Sequence, residues 1–88
     1  MCTCATEQIE ATGAAKGPNG WFRIDEATVY FDHPVHALPE HTLNINFAAP
    51  GAGPSARVAV ELSASTAERL IDAIRAALDS APAAMRTD

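Results

Sequence analysis

All three histidines of the 88-residue chain stand close together, in Asp32-His33-Pro34-Val35-His36-Ala37-Leu38-Pro39-Glu40-His41. A His-x-x-His pair directs two imidazoles to one point when the backbone curls, so His33 and His36 form the nucleus of a metal site and His41 adds a third nitrogen donor. Asp32 and Glu40 flank them, in the place where a carboxylate accepts the second N–H of a ligating ring and fixes its tautomer. Two sulfur donors, Cys2 and Cys4, lie two apart near the start of the chain. Sulfur with imidazole favours Zn, Cu(I) or Fe(II) over Mg or Ca. The expected ligands are therefore Cys2, Cys4, His33, His36 and His41, with Asp32 and Glu40 as their orienting partners. The spacing matches no zinc-finger or zinc-ribbon pattern, and Pro34 and Pro39 exclude a helical His-Glu-x-x-His site.

The same residues support two other readings. Histidines in a proline-bearing loop commonly hydrogen-bond and close strand ends, and small buried cysteines behave as hydrophobes. Alternatively, removal of Met1 would expose Cys2 with both a thiol and an α-amine, a nucleophile with its own base, and a nearby imidazolium would raise the thiolate fraction. No residue is assigned a catalytic role. A Cys2–Cys4 disulfide would close a tiny strained ring, so both are expected to be free, reduced thiols. Gly51-Ala52-Gly53-Pro54 is a flexible turn rather than a phosphate loop, because no Lys-Ser/Thr pair follows it. Trp21 is expected to be core or edge cover, and Tyr30 is the better ligand-facing aromatic.

Composition narrows the partners. Six basic against eleven acidic residues give a net charge of −5, with no broad positive field to neutralise phosphates or anionic headgroups, so nucleic acid and membrane are not expected partners. No run approaches the roughly 18 apolar residues of a spanning helix. The start, Met-Cys-Thr-Cys-Ala-Thr-Glu, lacks the basic and apolar regions of a secretion signal, which makes the expected location cytoplasmic.

The elements that must position the Cys and His residues follow from periodicity. Residues 5–12 alternate weakly and read as an edge strand, and Pro18-Asn19-Gly20 is a hairpin turn. Residues 21–31 form the longest strand; Phe22 and Ile24 are out of phase with Ala27, Val29 and Phe31, which a bulge near Asp25-Glu26 would repair. Residues 32–41 read as an ordered, exposed loop. Residues 42–47 put Leu43, Ile45 and Phe47 inward and Thr42, Asn44 and Asn46 outward, and residues 56–62 put Val58, Val60 and Leu62 on one side. Ser65 with Glu68 reads as a capping box, after which Leu70, Ile71, Ile74 and Leu78 recur at helical spacing to about Ser80, where Pro82 stops the helix.

These elements predict an α+β fold: a four-stranded antiparallel meander with one C-terminal amphipathic helix packed on one face. Residues 1–82 form a single domain and 83–88 a flexible tail. If the first two strands pair around Pro18-Asn19, Cys4 falls opposite about His33, and both sulfurs share one face. The second sheet face, with Thr28, Tyr30, Asn44, Asn46, Arg57, Ala59 and Glu61, meets either water or a second copy of the chain; a homodimer is expected because a lone core of this size is marginal.

Cys2-Thr3-Cys4-Ala5-Thr6-Glu7, Gly20-Trp21-Phe22, Phe31-Asp32-His33-Pro34-Val35-His36, Glu40-His41-Thr42-Leu43-Asn44-Ile45 and Gly53-Pro54-Ser55-Ala56-Arg57-Val58-Ala59-Val60-Glu61-Leu62 together resemble a family of small actinobacterial proteins of unknown function. The resemblance spans nearly the whole chain and implies a bacterial, cytoplasmic, single-domain protein with no defined activity. The combined expectation is a small binding or accessory protein with a Cys/His metal or ligand site. The alternatives are a small catalyst built on a Cys2 thiolate with a histidine partner, and a purely structural homodimer.

Overall fold

The computed structural model describes residues 6–32 and 41–86. Four strands, β1 (Glu7–Gly17), β2 (Gly20–Asp32), β3 (Thr42–Ala48) and β4 (Arg57–Leu62), precede one helix, α1 (Ala64–Ser80). The strands form an antiparallel sheet in sequence order, β1-β2-β3-β4. The α+β class and the meander are as the sequence predicts.

β1 runs five residues past its expected end at Thr12. The cause is the turn: Gly17 pairs with Gly20 across only Pro18 and Asn19, so the ladder closes as far as the turn allows. Pairing here overrides the weak strand preference of Gly and Ala. Neither turn residue takes a positive φ, which leaves the left-handed step to Gly20 at φ 106°, where a side chain would be strained.

The hairpin register follows the predicted pairing from Gly17–Gly20 to Gly13–Ile24 and then shifts by one, from Glu10–Glu26 to Glu7–Val29. Two residues of β1, Ala11 and Thr12, thus stand against one of β2, Asp25. The phase change is where the sequence requires it, since Ile24 and Ala27 are both buried, but the extra residue sits on β1. A bulge bends the ladder and increases its twist. Beyond it the hairpin overhangs β3 and β4 and meets the loop between them: Asn19 Nδ2 donates to Ser55 Oγ at 3.2 Å. The loop is closed by Ala49 N–H donating to the Ala56 carbonyl at 3.0 Å. Ile24, Ala27, Ala49 and Ala56 are the buried apolar residues among those described.

The other end of the sheet is open. Rows Ala27–Phe47–Val58, Val29–Ile45–Val60 and Phe31–Leu43–Leu62 cross it in register, yet the members of the last two rows are only half-buried or, for Phe31, exposed. The helix does not close this core. No residue of α1 is buried, and Leu70, Ile71, Ile74 and Leu78 remain 39%, 65%, 53% and 44% exposed. α1 reaches the sheet at β3, but its apolar stripe is not buried there. β4 ends at Leu62 and α1 begins at Ala64, so a single residue joins them. That residue, Ser63, is also the N-cap, its side chain accepting from Thr66 N–H at 3.2 Å. The cap therefore sits two residues before the predicted Ser65, which lies inside the first turn. After Ser80 a short 3-10 turn, Ala83–Met85, follows, and Arg86 donates to the Leu78 carbonyl at 3.3 Å.

Candidate functional site

Of the expected site residues, Cys2, Cys4, His33, His36 and Glu40 lie outside the described residues, whereas Tyr30, the backbone of Asp32, and His41 are placed. Asp32 pairs with Thr42 at the last rung between β2 and β3. His41, one residue before that rung, stacks its ring on Phe31, with centroids 5.9 Å apart and planes 12° from parallel. Offset aromatic contacts of this kind add about 0.5–1.5 kcal/mol beyond the area they cover. Phe31, Asp32, His41 and Thr42 thus form the base from which residues 33–40 depart. β1 runs antiparallel to β2, so its Glu7 end, paired with Val29, points toward this same end of the sheet.

A polar row adjoins the base. Tyr30 pairs with Asn44, and Asn44 with Glu61. Thr42 and Asn44 were expected to face outward, but Thr42 is fully buried and Asn44 is 5% exposed. Their burial is tolerable because they satisfy each other: Thr42 Oγ1 donates to Asn44 Oδ1 at 2.8 Å. No buried side-chain nitrogen or oxygen among the described residues lacks a partner, as interiors require. Alternation on β3 put both residues on one face, the signal for their contact. Farther along, Arg57 Nη2 and Nε donate to Asn46 Oδ1 at 3.0 and 3.3 Å.

A family model described as a family of unknown function (DUF6295) matches residues 1–87. The chain belongs to this family. No curated protein and no solved structure matches it. At this level the resemblance read from the sequence is borne out, and membership in DUF6295 brings no activity with it.

The remaining surface of this DUF6295 chain holds a concavity of about 790 Å³ along the bulge, lined by Ala11, Thr12, Trp21, Arg23 and Asp25 among others. Trp21 is 71% exposed, so it is neither core nor cover. Among the described residues no three His, Cys, Asp or Glu side chains cluster closely enough to hold a metal ion. No helix among them is long and apolar enough to cross a membrane.

Proposed function

We propose that the chain is a small binding or accessory protein that acts as a homodimer and works through its surface rather than through an enclosed catalytic site. The observation that carries this reading is the open core. Ile24 is the one large aliphatic side chain buried among the described residues, whereas four large aliphatic residues of α1 lie exposed. Sedimentation equilibrium across a range of micromolar concentrations tests the reading. A mass twice the chain's 9.2 kDa is expected, and a monomer at every concentration refutes it.

A second reading is a Zn, Cu or Fe site formed by Cys2, Cys4, His33, His36 and His41, oriented by Asp32 and Glu40. It is supported by the shared end of the sheet to which the Glu7 end of β1, Asp32 and His41 belong. Elemental analysis of untagged protein tests it, with metal near one ion per chain expected, and reduced in His41→Ala and Cys2→Ala. Sub-stoichiometric metal that neither substitution changes ends this reading.

A further inference from the structure

We infer that α1 is the dimerisation element, packing antiparallel against α1 of a second copy about a two-fold axis that passes beside Ile74. This rests on the homodimer proposed above and names its surface and symmetry.

The inference starts from the order of residues along the helix. Read outward from Ile74, the centre of the apolar stripe is matched in both directions by Leu70 and Leu78, four residues away, and Ala67 stands seven before it. Ile71 and Ala77, three residues away, mark its two margins. At 100° per residue Ala67, Leu70, Ile71, Ala77 and Leu78 fall within 60° of Ile74 on either side, a stripe of the width that a packed helix presents. A two-fold interface brings one patch against itself, so each position must suit its own mirror position along the helix. In the antiparallel pair Leu70 meets the partner's Leu78, and Ile74 meets its own counterpart. The alanines permit a close approach, at the short end of the 8–10 Å range of interaxial distances.

The other occupants fit less well. Although α1 reaches β3 of its own sheet, Leu70, Ile71, Ile74 and Leu78 stay exposed, so that contact does not cover the stripe. An unlike partner gives no reason for a stripe that repeats in reverse about its centre. A lipid surface is opposed by the charges elsewhere on the helix: Glu68, Asp72 and Asp79 outnumber Arg69 and Arg75, whereas helices that lie on anionic membranes carry an excess of basic residues.

Symmetry makes the test specific. Only a residue on the axis lies next to itself, so Ile74→Cys, in a Cys2→Ser/Cys4→Ser background, is expected to form a disulfide-linked dimer to near completion under mild oxidation. Leu70→Cys alone is not, because two copies of position 70 are eight residues apart along the axis, about 12 Å, beyond the roughly 7 Å that a disulfide spans between Cα atoms. Leu70→Cys combined with Leu78→Cys restores the cross-link. Ile74→Arg, at an exposed position, is expected to leave the circular dichroism spectrum unchanged and convert the dimer to monomer. A dimer by sedimentation in which Ile74→Cys does not cross-link, or Leu70→Cys cross-links equally well, overturns the helix pairing while leaving the homodimer standing. A monomer by sedimentation overturns both.

Discussion

The two ends of this sheet reach opposite outcomes. At the turn end, small residues predominate, yet Ile24, Ala27, Ala49 and Ala56 are buried, because the bulged hairpin leans over the β3–β4 loop and the two are joined through Asn19 and Ser55. At the helix end, the apolar residues are larger, yet they stay open, because α1 touches β3 without burying any of its own residues. Burial is thus decided by where the chain can fold back, and only secondarily by how hydrophobic it is.

Substitutions can break this contrast in graded steps. The largest effect is expected at the closed end, where Ile24→Ala removes the main aliphatic side chain of the core and should cost about 2–5 kcal/mol, read as a lower urea midpoint that does not depend on protein concentration. Ile74→Ser should instead act through association, lowering the melting temperature at high protein concentration and hardly at all at low concentration. A uniform loss at all concentrations would erase the distinction between the ends. Thr42→Val comes next: it leaves the buried Asn44 oxygen without its donor, at a cost of about 1–3 kcal/mol by the same urea titration. Gly20→Ala, forced to a left-handed φ, should cost about 1–2 kcal/mol and loosen amide-exchange protection at the hairpin tip ahead of the rest of β2. The smallest is Ser63→Ala, which removes the helix cap for about 1 kcal/mol and is best seen as faster exchange of the Thr66 amide.

Strand number, order and type were legible because period-two alternation is strong in Leu43 to Phe47 and Val58 to Leu62, and because Pro18-Asn19-Gly20 marks its own turn. The phase break around Asp25 was legible too, but not the strand that carries the additional residue, since either side of a ladder can accommodate it. The capping serine was ambiguous in the sequence: Ser63 and Ser65 both precede a helical pattern, and the end of β4 at Leu62 decides between them. What could not be read was the destination of α1. An amphipathic stripe states that a helix must be covered and is silent on whether its own sheet or another molecule covers it. Of the expected site, the sequence correctly placed His41 beside the β2–β3 junction; its stacking on Phe31 depends on register and could not be anticipated from spacing.

That stacking has an effect on everything the chain carries between positions 32 and 41. The Asp32–Thr42 rung and the Phe31–His41 stack fix the two points between which residues 33–40 run. Closing a longer excursion over fixed feet is cheap, about 0.6 kcal/mol for each doubling of length. The scaffold can therefore exchange this segment for others of different length and chemistry, as a handle accepts interchangeable heads.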